Sequence, residues 1–581
     1  MLPSSVARSR MFSLPVFSLL VVLAITLALP RATGAYARWV ARRANRTGWG
    51  DPVPRARDAA ELLGYHNAVR DRARDGIGTP LDVRTWDDLD LDAVFAHVDR
   101  ASGAPGQQVL YDWLRTPAQS PAPLRTRERL IAALGDSEAA RAAVRAACER
   151  LARRGAHALP LLIWGALPLR PWWASLLVLL PVGAAAAFAA AAVWPRLLVV
   201  ALVLALAGMV VRAVVRPRVD ELADATRHLR ALCRGARRLA ADLGPHPAFA
   251  AEVAALRACT PALRRLERAS TWVAFDAGDD ATVAVTGFVN VAFSLDVATL
   301  YACLSELARR RLALQIAFET LGALDAACAV ASWRAGAGCW TRPVLYAGAT
   351  AAARVAAVRH PLVPGALPND YAPALPGTII TGANMAGKST YVRAVGLAAV
   401  LAQTLHTVPA DAYAAPFLTV RTSIGRADDV TRGTSYYRAE ADAVLALMAA
   451  ARDGAAAGDA HLFLLDELFR GTNAVERVAA GAAVLDDLAT PRDGARHHVI
   501  AATHDGELVE RLAVRYAPWH FREQVAGGGL TFDYVLRPGP ATTRNAIALL
   551  AELGAPASVV ARALETAAEL DAARVADPRA A

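Results

Sequence analysis

A chain of 581 residues is long enough for two to four domains that each bury a core, and its six cysteines are scattered with no CxxC pair, which argues against a disulfide framework or a zinc site. Hydrophobic residues make up 55% and the mean hydropathy is +0.29, an excess that soluble domains alone do not carry. The net charge of +10 suits an anionic partner, nucleic acid or lipid headgroups, although the cytoplasmic flanks of membrane segments are basic for their own reason.

In chain order, residues 11–29 (MFSLPVFSLLVVLAITLAL) come first, apolar, uncharged and about as long as a membrane crossing. A cleaved secretory leader is the other reading of such a stretch. Residues 50–157 show helical Ala/Leu/Arg periodicity, broken at Gly78-Thr79-Pro80 and again at Pro121 and Pro123. A second charge-free stretch covers 171–195, and a third covers 197–211, extending to Val215 if Arg212 snorkels. A buried hairpin in a soluble core is the alternative for these two. Trp172, Trp173 and Trp194 stand where interfacial aromatics belong. Arg31, Arg38, Arg42, Arg43 and Arg46 after the first span, Arg141–Arg154 before the hairpin and Arg212–Arg218 after it place residues 31–170 and everything beyond about 216 inside. The expectation is a multi-pass plasma-membrane protein with about three transmembrane helices and a cytoplasmic C-terminal domain. Residues 217–335 read as long amphipathic helices with a β-like patch at 281–295. From about 344, short apolar runs alternate with helical segments, the α/β signature.

The chemistry concentrates in that last part. The β-branched run 378–381 leads into Gly382-Ala-Asn-Met-Ala-Gly387-Lys388-Ser389 and then a helix to about 405, which is G-x-x-x-x-G-K-[ST] in a strand–loop–helix setting. Such a loop wraps phosphates with backbone N–H groups, brings Lys388 to the β/γ-phosphates and Ser389 to Mg²⁺. Lys388 is the one lysine among 63 basic residues; a compact ammonium is wanted there, not a guanidinium fork. A strand at 461–465 ends in Asp466, suited to Mg²⁺, and Glu467, suited to orienting the attacking water. The strand 498–502 ends in Thr503-His504, where an imidazole can sense the γ-phosphate. Between them, Gly433-Thr434-Ser435 opens a helix as a capped, anion-attracting start.

These segments in this order resemble the ATPase domain of the MutS family. TGANMAGKSTYVRAVG resembles its phosphate loop, VPADAY (408–413) followed by ADDVTRGTSYYRAE its signature segment, LLDELFRGT its acidic motif and ATHDGEL its histidine motif. Upstream, ARVAAVRHPLVPGALPND carries matching Arg359-His360-Pro361 and Asn369-Asp370; downstream, FDYVLRPGPATTRNAIALLAELGAPASVVARA resembles the final strands and dimerisation tail. The resemblance covers about 344–575, with a weaker likeness to the family's core at 91–117 and to the end of its lever helices at 300–343. It implies an α/β ABC-type P-loop ATPase with catalytic Glu467, Lys388 and His504. ATP would lie on Gly382, Asn384, Met385, Gly387, Lys388, Ser389 and Thr390, with Gly433 and Ser435 reaching it from the opposite subunit of a homodimer; Ser389 and Asp466 would hold Mg²⁺. The family's aromatic ahead of the Pro-Asn-Asp segment is missing from Ala366-Leu367-Pro368, which leaves the adenine-stacking residue open, and Ala383 and Ala386 stand where the loop usually carries Pro and Gly. The apolar hairpin occupies the place of the family's DNA clamp. No mismatch-reading domain is expected, and Phe521-Arg522-Glu523 lies after the ATPase motifs.

The expected organisation is an N-terminal anchor with basic flank (1–49), a helical core-like region (50–157), a transmembrane hairpin (158–216), a lever-like helical region (217–343) and the ATPase domain with its helical tail (344–581). The expected partners are a second copy of the chain, the lipid bilayer, DNA through arginine clusters at 141–154 and 227–238, and a protein partner of unknown kind. A transporter is disfavoured: three spans make a poor pathway, and Gly-Thr-Ser replaces the Ser-Gly-Gly-Gln signature.

Overall fold

A computed structural model describes residues 48–576 other than 56, 73–76, 153–154, 168–178, 216–219, 271–294, 349–350, 384, 426–435, 471, 493–495, 527–528 and 542–545. The expected span 11–29, the start of the one at 171–195, and the β-like patch up to residue 294 therefore lie outside the described residues. The chain divides into two compact units. One comprises Met1–Val53, Arg154–Ala240 and Ala254–Ala317, the other Pro54–Arg153, Ala241–Val253 and Phe318–Ala581.

The first unit holds the apolar hairpin, helices Leu179–Ala190 and Leu197–Val215, joined through a turn at Trp194-Pro195-Arg196. Small residues let the helices approach: Ala184 and Ala201 are buried between them, and Leu204 lies 3.3 Å from where a Cβ on Gly183 would stand. The outward face is the reverse of a soluble helix. Leu179, Val182, Phe188, Leu198, Leu202, Val203, Leu206 and Val210 are all exposed, Leu202 by 70%. Beyond the hairpin, helix Asp220–Asp242 is tied to the part of Ala250–Ala269 in this unit by Arg234 and Arg237, which share Glu267. Among the described residues one helix is long and apolar enough to cross a membrane, and it is not one of those expected. It is Arg311–Gly336, and 67% of its most apolar window is buried; Leu197–Val211 is apolar but shorter.

The second unit opens with helices that cap themselves. Asp58 accepts from Ala60 N–H, Asp82 from Thr85 N–H, and Pro121 stands in the first turn of Pro121–Asp136, so the expected break there is a helix start. Leu91, Val94, Phe95 and Val98 recur at helical spacing and are all buried. Two sheets follow. The smaller has the order β1-β5-β2-β3, with β1 Val344–Tyr346, β2 Arg354–Val358, β3 Asn369–Tyr371 and β5 Ala412–Pro416. The larger has the order β10-β9-β4-β8-β7-β6, with β4 Gly377–Thr381, β6 Leu418–Ile424, β7 Ala460–Asp466, β8 His498–Ala502, β9 Tyr516–Ala526 and β10 Gly529–Pro538. Strands β9, β4, β8, β7 and β6 run parallel, and β10 returns antiparallel on β9. Central strands are apolar throughout because both faces are covered. Phe463 and Leu465 pack on helices Tyr436–Ala457 and Ala474–Ala489, and Leu464 meets the helix Lys388–Thr404 at Gly396, where a Cβ would lie 2.4 Å from it.

The edge strand β6 is closed by the N-terminal helices. Asp88 accepts from Thr422 Oγ1 and Ile424 N–H at 2.8 and 2.9 Å, and Asp82 pairs with Arg421 at 2.6 Å. A second junction holds the far end of helix Lys388–Thr404. Glu128 takes Arg334 in a two-pronged pair at 2.6 and 3.0 Å, with Arg342 and His406 beside it. Burial opposes the charge on Glu128, but His406, Arg334 and Arg342 outweigh it and hold the carboxyl down at about 2.

Candidate nucleotide site

The register of the parallel strands sets the site. Ile380 pairs with Ala502, and Ala502 with Asp466, so β4, β8 and β7 end side by side at one edge of the sheet. The loop after β4 then turns into the helix Lys388–Thr404. Gly382 (φ 138°) and Gly387 (φ 103°) take left-handed backbone that a side chain rarely adopts, and Phe521 O would stand 2.9 Å from a Cβ at 382. Phe521 of the Phe-x-Glu triplet is thus a buried strand residue under the phosphate loop, ring to edge with Tyr391. Met385 also has positive φ (77°) and is exposed at the loop tip. Lys388 is buried, its ammonium in the mouth of the loop donating to Gly382 O at 2.7 Å and Ala383 O at 3.0 Å.

Next along the helix, Ser389 donates to Asp466 Oδ2 at 2.5 Å. Burial raises the Asp466 pKa; the Ser389 hydroxyl and the positive Lys388 and Arg393 counter that rise, and the neighbouring Glu467 charge adds to it. Its Oδ1 is buried with no hydrogen-bond partner among the described residues. An oxygen pair of this kind, one hydroxyl and one carboxylate with an unused buried lone pair, fits a hard divalent cation. Glu467 is bracketed by Arg470 at 3.3 Å and His504 at 3.5 Å. Arg477 grips Asp505 through two hydrogen bonds of 2.8 and 2.9 Å, fixing the turn that carries His504. Thr390 is exposed one residue beyond Ser389.

The structure therefore brings together Gly382, Met385, Gly387, Lys388, Ser389, Thr390, Asp466, Glu467 and His504. Asn384, Gly433 and Ser435 lie outside the described residues. A cavity of about 1040 Å³ opens over the loop, large enough for a nucleotide, walled by His360, Pro364, Leu367, Met385, Arg470 and Tyr534 among others. Burial and the nearby Arg393 push His360 down to about 4.

Three contributors were not assigned roles from sequence. Arg470 follows the acidic motif and pairs with Glu467. Glu440, inside the signature segment, reaches the backbone of Phe469 at 2.5 Å. Tyr534 stands beside Gly387, its ring edge 3.2 Å from a Cβ position there. Asn369 explains how: its amide donates to Tyr534 O and accepts from Leu536 N–H, clamping a bulge in β10 where Tyr534 has φ 51°. Asp370 caps Ala357 N–H and, through its carbonyl, takes the Tyr391 hydroxyl. The Asn-Asp pair was visible as a motif; the reach of Asn369 across more than 160 residues was not.

The family model for MutS domain V matches residues 378–571, which include every described residue of this constellation from Gly382 to Tyr534. The C-terminal part of this chain is thus similar to domain V of the MutS family. A DNA mismatch repair protein MutS from Thermus aquaticus is 36% identical over 214 residues, 36% of this chain and 25% of that protein. The protein of the same name from Caulobacter vibrioides is 32% identical over 283 residues, 45% of this chain and 29% of its own length. DNA mismatch repair protein MutS 2 of Haloarcula marismortui is 34% identical over 212 residues, 21% of its length. The chain thus spans between about a fifth and three tenths of the curated relatives it matches. The likeness lies in the α/β ATPase-type region.

Proposed function

We propose that this MutS-family chain is a membrane-anchored ATPase that binds and hydrolyses ATP in composite sites of a homodimer and couples the cycle to DNA. The observation that carries the ATPase reading is the edge where Lys388, Ser389–Asp466 and Glu467 converge on one cavity. Loop amides and the Lys388 ammonium would stabilise the charge on the β/γ-phosphates as the bond to the γ-phosphate breaks. Glu467, kept between Arg470 and His504, would orient the attacking water and accept its proton. His504 would contact the γ-phosphate. Ser389 and Asp466 would hold Mg²⁺, which supplies positive charge to the phosphate oxygens when bound. Tyr534 offers the ring face that Ala366-Leu367-Pro368 lacks, and we assign it the adenine.

The exposed hairpin supports the membrane part. A two-helix face of Leu, Val and Phe side chains left open is costly in water and suits hydrocarbon. The reading places the ATPase in the cytoplasm at the plasma membrane. The same hairpin favours a second reading, an ATP-driven membrane switch that acts on a protein partner without DNA.

The deciding experiment is binding of the nanodisc-embedded chain to duplex, mismatched and branched DNA, titrated with salt, with and without ATP. Nucleotide-dependent binding with a steep salt slope supports the DNA-coupled ATPase. Absence of binding at low salt, with ATP turnover intact, leaves the switch.

A further inference from the structure

The turn that carries Asp466 and Glu467 is held in a shape its residues do not favour. Glu467 (φ 50°) and Phe469 (φ 57°) both occupy the left-handed region, and neither is glycine. Such residues stay there only where the surroundings over-determine them. Two of the restraints are backbone: Glu467 N–H donates to Ala502 O at 2.9 Å and Thr472 N–H to Phe469 O at 3.2 Å. The third is a side chain from another element. Glu440, buried in the second turn of helix Tyr436–Ala457, accepts Phe469 N–H on Oε1 at 2.5 Å. Burial raises the Glu440 pKa, and the Phe469 amide and the charge of Arg84 act against that rise. A carboxylate in so dry a place is costly unless it is hydrogen-bonded, and the bond it makes is to the turn.

Resting on the ATPase reading above, we infer that Glu440 is a positioning residue: it pins the Phe469 amide, and with it the left-handed turn that aims Glu467 at the nucleotide. The helix it stands on begins within the segment resembling the signature, and Glu440 is that segment's last residue, so the hydrolytic carboxylate is set from the signature side. Glu440 itself touches no reacting atom. Without the acceptor, the turn relaxes toward ordinary backbone and Glu467 shifts; a displacement of about 1 Å is enough to lower turnover roughly 100-fold.

The test is ATP turnover and ATP binding by the full chain in nanodiscs, with hydrogen exchange read at the Phe469 amide. Glu440→Ala is expected to lower kcat by roughly 100-fold while the Kd for ATP moves by less than about threefold, and to speed exchange at Phe469. Glu440→Gln keeps an oxygen acceptor and is expected to recover at least about tenfold of the loss. Wild-type kcat in Glu440→Ala overturns the inference, as does equal loss in both variants accompanied by lost ATP binding, which makes the residue a mere fold element. A wild-type chain that binds ATP without turnover sinks the ATPase reading itself. The exchange measurement then still decides the pin, and an unchanged Phe469 rate in Glu440→Ala removes it.

Discussion

The nucleotide edge of the sheet and the apolar hairpin both stop short of satisfying their own groups, and they do so in opposite ways. At the edge, a buried Asp466 oxygen has no partner among the described residues, and the Lys388 ammonium donates to the loop carbonyls of Gly382 and Ala383. In the hairpin, polar groups are scarce and aliphatic side chains stand open. An incomplete polar site asks for ions and phosphate; an incomplete apolar face asks for hydrocarbon. Helix Arg311–Gly336 shows why burial, and not hydropathy, draws the line. Among the described residues it is the one helix long and apolar enough to cross a membrane, yet Leu314, Phe318, Leu321 and Leu324 are completely buried within protein.

The sharpest way to break this contrast is to put charge on the hairpin. In a chain that also lacks the span 11–29, Leu202→Asp with Leu206→Asp should release it from alkaline-washed membranes, each carboxylate costing roughly 3 kcal/mol at bilayer depth. Retention in the membrane pellet would mean that the hairpin is not the anchor. Next in size, Lys388→Ala and Glu467→Ala should each lower ATP turnover by at least about 10³, some 4 kcal/mol of transition-state stabilisation. Membrane retention should be untouched in both. Undiminished phosphate release from both variants would remove the proposed site.

Local order made the nucleotide edge legible from residues alone. Each strand is an apolar run with a candidate site residue at or just beyond its end, so 378–381, 461–465 and 498–502 announced both the strand and the candidate site. The observed strands, β4, β7 and β8, differ from them by a residue at most. What the pattern cannot hold is contact across the chain. Glu440 grips Phe469 from 29 residues away, and Asn369 fixes the Tyr534 bulge from 165. The small sheet was equally hidden, because β1 and β3 are three residues each and half exposed, too short for any period to show. Arg311–Gly336 read as a lever-like helix, and its apolar length gave no warning that it would compete with the hairpin as a membrane candidate.

Smaller effects test the buried side of the contrast. Leu324→Ala, deep in helix Arg311–Gly336, should lower the stability of its unit by about 3 kcal/mol, read as a fall in thermal midpoint. The same truncation at exposed Leu202 should leave it unchanged in detergent. A midpoint indifferent to both would mean that the helix is not core.

The smallest expected effect lies at the opposite end of the strands that build the site. His461 and His498 are buried at the starts of β7 and β8, and burial pushes both down to about 4, with His497 lowered beside them. His461 stacks on Phe463 at 5.3 Å, and its Nδ1 has no hydrogen-bond partner among the described residues. A histidine whose folded pKa lies below its unfolded 6.5 stabilises the fold fully above 6.5. That stability is lost as the pH falls toward 4, because the unfolded chain takes up the proton first. Asp325 works the other way: burial raises it to about 6, so its folded form binds protons that the unfolded chain has released, and it stabilises the fold at low pH. Between pH 6.5 and 4 the lowered histidines, among them His360, His461, His497 and His498, make stability rise with pH, while Asp325 and the raised Asp466 and Glu440 act against them. His461→Leu should reduce that slope by up to about 1.4 kcal/mol per pH unit, seen as a flatter dependence of thermal midpoint on pH. An unaltered slope would mean that the imidazole is hydrated in the folded protein, and that this end of the sheet is no drier than the end proposed to receive the phosphates.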